Sequence, residues 1–193
     1  MKHFRVVIFG SARIEKGDPN WHLIYDLAKR IAEEGMDVVT GGGPGLMSAA
    51  SEGHYVGDTS KNADSIGLQI ILPKKQRDAN HLDIKKEFSL FSKRLDNFIE
   101  LANAVVVAPG GVGTMLEFFY VWQLIQVKMI RNIPIILLGD FWSNFLQWVE
   151  KWPLKKGLLD KKDLDLLFLV NNNEAAISIL KEAFTQFKKD VAT

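Results

Sequence analysis

Apolar, β-branched runs alternate with helical patterns along the whole chain of 193 residues. Arg5–Phe9 (RVVIF) reads as a buried strand. Residues 21–34 follow as a helix, with Trp21, Ile24, Leu27, Ala28 and Ile31 on one face and Gly35 just past its end. Asp37–Thr40 (DVVT) is a second strand, and a glycine loop over residues 41–45 leads into a short helix ending near Gly53. Residues 65–72 make a third strand, stopped by Pro73, and the polar stretch 74–86 reads as a loop. A helix over 90–102 precedes a fourth strand, 104–108 (AVVVA), and a second glycine loop opens a long helix reaching about residue 130. A strand at 134–138, a helix at 142–152, an apolar segment at 164–170 and a helix at 174–188 complete the pattern.

Strands that are apolar throughout, each followed by a helix, imply a parallel sheet covered on both faces. The expected fold is α/β: a doubly wound, Rossmann-like sheet in a single domain over residues 1–193, with no repeat and no separating linker. In such folds a ligand sits beyond the C-terminal ends of the strands. Three candidate loops occupy that position.

Composition narrows the partners. A formal charge of +1 gives no reason to expect nucleic acid or a membrane surface, and the basic pairs, among them Lys74-Lys75 and Lys161-Lys162, are scattered. There is no cysteine, so disulfides, thiolate metal sites and cysteine nucleophiles are excluded, and a reducing cytoplasm is the expected location. The N-terminal run, broken by Arg5, lacks the apolar core of a signal peptide, and no stretch approaches the roughly 18 apolar residues of a membrane span.

The first loop, Gly10-Ser11-Ala12-Arg13, offers a sharp turn and a Ser11 hydroxyl for a phosphate or ribose; an ordinary strand exit would look the same. The second, Gly41-Gly42-Gly43-Pro44-Gly45, has four glycines in five positions. Without Cβ atoms its N–H groups can line an anion-binding concavity, but close packing of helix on strand would also demand glycine. A dinucleotide fingerprint fails there, because the required third glycine is Leu46. The third, Pro109-Gly110-Gly111-Val112-Gly113-Thr114, joins a strand to a helix N-terminus, where free N–H groups and the helix dipole favour an anion. No lysine follows Gly113, so it is not a nucleoside-triphosphate loop, and a single phosphate suits it better.

Thr114-Met115-Leu116-Glu117 matches a capping box, in which Glu117 would merely satisfy a backbone donor. Yet the helix that follows is apolar on nearly every face and Glu117 is its only acid, so a carboxylate there sits where a ligand would be. Such a helix belongs in a core or a subunit interface. Arg94 lies amid Phe91, Leu95, Phe98 and Leu101; spacing alone does not bring it to Glu117.

The pairing of T-G-G-G-P-G-L-M with P-G-G-V-G-T-M-L-E resembles the LOG ("lonely guy") family, long mislabelled as possible lysine decarboxylases. The resemblance implies a nucleoside 5′-monophosphate phosphoribohydrolase, cleaving the N-glycosidic bond of AMP or cytokinin ribotides to free base and ribose 5-phosphate. It implies catalysis by Arg94 and Glu117, a 5′-phosphate held by Gly110, Gly111, Gly113 and Thr114, and a nucleotide bordered by Ser11, Gly42, Gly43 and Gly45. It implies no metal, no organic cofactor, and a homodimer or larger homo-oligomer. Three positions depart from the family pattern: Leu95 stands for the lysine after the arginine, Leu116 for a second acid, and Lys75 for a glutamate after the third strand. A carrier of nucleotide or molybdenum cofactor with the same fold is the alternative reading. Pyridoxal-phosphate decarboxylation is not, since no lysine stands in a cofactor-binding context.

Overall fold

A computed structural model describes residues 3–73 and 78–192. The chain runs β1 (Arg5–Phe9), α1 (Pro19–Glu33), β2 (Asp37–Thr40), α2 (Leu46–Gly57), β3 (Ser65–Ile70), β4 (Ile84–Phe88), α3 (Phe91–Leu101), β5 (Ala104–Val107), α4 (Val112–Gln126), β6 (Ile135–Leu138), α5 (Ser143–Val149), β7 (Leu167–Val170) and α6 (Asn173–Ala192). Among the described residues these form one seven-stranded sheet, ordered β4-β3-β2-β1-β5-β6-β7, with every neighbouring pair parallel. The expected doubly wound α/β domain is what forms.

Strand periodicity sorts the core into two layers. Val6, Ile8, Val38, Val106 and Ile136 pack under α1, α2 and α6. Val7, Phe9, Val39, Val105 and Ile135 pack against α3, α4 and α5, where Phe118, Trp122 and Trp142 form an aromatic cluster. The chain order reverses beside β1, with β2 on one side and β5 on the other. That is the switch point at which doubly wound sheets open a crevice.

Several boundaries differ from the expectation, each for a local reason. α1 starts two residues early because Asp18 caps it, its carboxylate accepting from Asn20 N–H at 2.7 Å with Pro19 in the first turn. α2 runs past Gly53 to Gly57, since these glycines serve helix packing rather than termination: a Cβ on either would lie 2.0–2.1 Å from the Tyr25 or Lys29 carbonyl oxygen of α1. α4 stops at Gln126, and Lys128 then takes a positive φ of 60°. The helix expected at 142–152 divides into a 3-10 turn, α5 and a π-helical turn over Glu150–Leu154 that contains Pro153.

The expected loop at 74–86 needs correction. Residues 74–77, including Lys75 of the strand-exit motif, lie outside the described residues, but Ile84–Phe88 pairs with β3 as the edge strand β4. Its Lys85, Lys86 and Glu87 are exposed, so it carries no apolar signature; charge on an edge strand protects it from pairing with other chains. No described helix is long and apolar enough to cross a membrane.

Candidate active site

The loops after β1, β2 and β5 converge at the crevice. Ser11 N–H donates to the Pro109 carbonyl at 3.1 Å, and Leu46 N–H to the Ser11 carbonyl at 2.9 Å, tying the three glycine-bearing segments together. They border a cavity of about 820 Å³, whose walls include Ser11, Gly41–Gly43, Gly111, Gly113, Thr114, Arg94 and Glu117.

The glycines divide into two kinds. Gly45 has a φ of +71°, and a Cβ there would sit 2.4 Å from the Ser11 carbonyl oxygen. A Cβ on Gly110 would meet the Thr114 hydroxyl oxygen at 2.1 Å. Neither residue is among those lining the cavity, so their want of a side chain is explained by packing. Gly42 does both: it lines the cavity, and a Cβ would lie 2.8 Å from the Gln69 side chain. At Gly111 and Gly113, nothing lies within 4 Å of where a Cβ would go. Both face the cavity at the start of α4, whose first N–H groups have no partner within the helix.

Glu117 does not close a capping box. The N-cap of α4 is Gly111, with no side-chain cap, and Thr114 already lies inside the helix. The carboxylate instead takes a short hydrogen bond and ion pair from the Arg94 guanidinium, contributed by α3. Each of the two side chains is 11% exposed. Burial drives the Glu117 carboxyl up from the ordinary 4.5 to about 7, against the opposing pull of the Arg94 charge and hydrogen bond. Arg94 packs against two rings of its own helix, its guanidinium carbon 5.7 Å from the Phe91 ring centroid and 5.5 Å from that of Phe98. Its Nε is buried and makes no hydrogen bond among the described residues.

Leu95, where the family lysine is expected, is buried, whereas Leu116 is exposed on the outer side of α4. Ser11 lines the cavity with its hydroxyl oxygen accepting from Arg13 N–H at 3.0 Å, which leaves its proton for a ligand. Sequence reasoning missed part of the wall: Arg13, Met47, Gln69, Asp78, Glu87 and Phe91 also line it. Arg13 closes the first loop and Met47 the second glycine motif, both already singled out though neither was given a role, a usable signal. Glu87 lies on the unrecognised β4, so nothing local pointed to it.

Among the described residues, one group has metal-ligand spacing: His3, Asp37 and Asp64. It lies at the opposite, N-terminal ends of the strands. Asp37 there is already occupied by His3 Nδ1 at 3.0 Å, Arg5 Nε at 3.3 Å and the Asp64 N–H at 3.0 Å. The arginine makes it a poor cation site.

Residues 47–180, which contain Arg94, the start of α4 and Glu117, match the model of the family described as "Possible lysine decarboxylase". The chain belongs to that family, the LOG family. Among LOG relatives, the chain is 29% identical over 147 residues to the pyrimidine/purine nucleotide 5′-monophosphate nucleosidase of Escherichia coli (strain K12). That match covers 69% of this chain but only 30% of the E. coli protein. It is 27% identical over 150 residues to the cytokinin riboside 5′-monophosphate phosphoribohydrolase LOG of rice (Oryza sativa subsp. japonica), covering 76% of this chain and 60% of that one. The molybdenum cofactor binding protein of Rippkaea orientalis shares the fold, with a TM-score of 0.70 at 21% identity over 95% of this chain and 99% of that one.

Proposed function

We propose that this LOG protein hydrolyses the N-glycosidic bond of a nucleoside 5′-monophosphate, of the AMP or cytokinin ribotide type, releasing the free base and ribose 5-phosphate. The observation that carries the reading is the Arg94–Glu117 pair in the cavity wall, with Glu117 on the same helix whose N-terminus suits a phosphate. From Val112 to Glu117 the helix rises about 7.5 Å at 1.5 Å per residue. The Glu117 side chain leans back toward that terminus, within reach of a ribose whose 5′-phosphate is held there.

In this arrangement the N–H groups of Val112, Gly113 and Thr114, with the Thr114 hydroxyl, hold the phosphate. Glu117 then lies beside C1′. As the C1′–N bond breaks, positive charge develops on the ribose, and the carboxylate stabilises it. Glu117 also removes a proton from the water that adds to C1′. A carboxyl titrating near 7 is matched to that exchange at neutral pH. The bonding pair leaves with the base, which takes up a proton. Arg94 holds Glu117 in place and supports the departing base electrostatically, since a guanidinium does not give up its proton. No step requires a metal or an organic cofactor.

Incubation with AMP, other nucleoside monophosphates and a cytokinin ribotide tests the reading, with free base and ribose 5-phosphate as readout. Release that persists unchanged in Glu117→Ala would overturn the mechanism. Tight nucleotide binding without release would favour a carrier. A second copy of the chain is the expected partner, on the outer side of α4, where Met115, Leu116 and Phe119 are each 38–46% exposed. Light scattering at the mass of one chain would refute that association.

A further inference from the structure

The proposed chemistry accounts for the phosphate end of the cavity and for the pair at its centre, but not for the ring of Phe91. This side chain is 51% exposed, yet it lines the cavity. Its position follows from the path of the chain. β4 is the edge strand furthest along the sheet from β5 on that side, and α3 starts just after β4 and returns to the foot of β5. Phe91, the first residue of α3, therefore sits on the β4 side of the cavity, across from the phosphate-binding start of α4. Arg94 lies one helical turn further along α3 and reaches Glu117. Start of α4, Arg94–Glu117 pair and Phe91 thus follow one another across the cavity, as phosphate, glycosidic carbon and base follow one another in a nucleotide.

We propose that Phe91 is the base-stacking residue of this site: the Arg94 guanidinium packs over its ring, and its exposed surface takes the flat face of the substrate's base. The inference rests on the nucleotide reading above and adds the residue that positions the leaving group. One ring would then serve two contacts, with the guanidinium 5.7 Å from its centroid and a heterocycle against the part left open. The role gives a use to a half-exposed aromatic ring in a wall that presents Met47, Ile70, Ile71 and Leu72 as well as the polar Gln69, Asp78, Glu87 and Arg13. It also makes the contact tolerant of base identity, because every base offers a π-face. Selection among bases then falls to the polar groups around the ring.

The test compares a ligand with a base to one without. Calorimetry on the full chain measures AMP and ribose 5-phosphate binding to the wild type, Phe91→Leu and Phe91→Tyr, with initial rates of AMP hydrolysis alongside. Phe91→Leu should weaken AMP about tenfold, within the range for loss of one base–aromatic stack, and leave ribose 5-phosphate within about twofold. Phe91→Tyr, which keeps the ring, should restore AMP affinity. Unchanged AMP affinity in Phe91→Leu would overturn the proposal. So would an equal loss for both ligands, which would mean that the ring acts only through Arg94. A wild type that binds AMP but releases no base would refute the hydrolase reading while the stacking result still stands on affinity. A wild type that binds ribose 5-phosphate and not AMP would refute the stack.

Discussion

Replacing Glu117 by glutamine separates what this carboxyl does for the reaction from what its charge costs the fold. Glu117 is buried, and burial holds its proton to about pH 7 instead of the ordinary 4.5. In the unfolded chain the carboxyl ionises from about 4.5 upward. Between these values the unfolded state has lost the proton and the folded state still binds it, so stability falls as pH rises from about 4.5 to about 7 and is level above. Moving a carboxyl from 4.5 to about 7 corresponds to about 3 kcal/mol. Glutamine keeps the shape and an acceptor for Arg94, and it does not titrate.

The stability difference between Glu117→Gln and the wild type should therefore grow, in favour of the variant, by about 3 kcal/mol between pH 4.5 and 8.5. For a chain of this size that is roughly 6–12 °C in Tm. Urea denaturation of both proteins across that range measures it, and groups that titrate alike in the two proteins cancel in the difference. Any fixed cost of the substitution, such as a less well paired Arg94, shifts the whole curve without changing its slope. Parallel profiles would refute the reasoning: Glu117 would then carry no raised proton affinity in the folded chain. Lost turnover in the same variant would complete the argument that the site holds a charge the fold alone would not keep.

Three further outcomes follow from the same geometry. If ionised Glu117 is the working form, kcat/KM should rise about tenfold per pH unit below about 7 and level above it, after allowance for the substrate phosphate's own ionisation near pH 6; a flat profile in a steady-state assay would contradict this. Arg94→Met removes the charge that pulls the Glu117 proton affinity down, so kcat/KM should fall about 100-fold and the rise should move to higher pH; an unmoved midpoint would show that the two groups are not coupled. Gly113→Ala meets open space inside a helix and should raise stability by about 0.5–1 kcal/mol while placing a methyl where the phosphate would bind, weakening ribose 5-phosphate about tenfold; calorimetry showing unchanged affinity would move the phosphate elsewhere.

The sheet was legible because its central strands are buried on both faces and bounded by turn residues. RVVIF and DVVT fall on β1 and β2 residue for residue. β4 was not, because an edge strand is specified by its neighbour's hydrogen bonds and its own residues favour solvent. The same distinction runs through the site. Gly111 and Gly113 could be read as anion-binding, since helix N-termini have that property wherever they occur. That Gly45 and Gly110 answer to packing needed the atoms they would strike. Glu117 was ambiguous for a physical reason: a capping box and a buried ion pair make the same demand of sequence, an acid a few residues into a helix. What decides between them is a long-range contact, from position 94 on α3 to position 117 on α4. Such contacts follow from how helices cross a sheet, and Arg94 in sequence is one arginine beside a lysine on an amphipathic helix. Family resemblance supplied the pairing, and the fold supplies its cause: α3 and α4 pack on the same sheet face, and the N-terminal turns of both border the cavity beyond the strand ends.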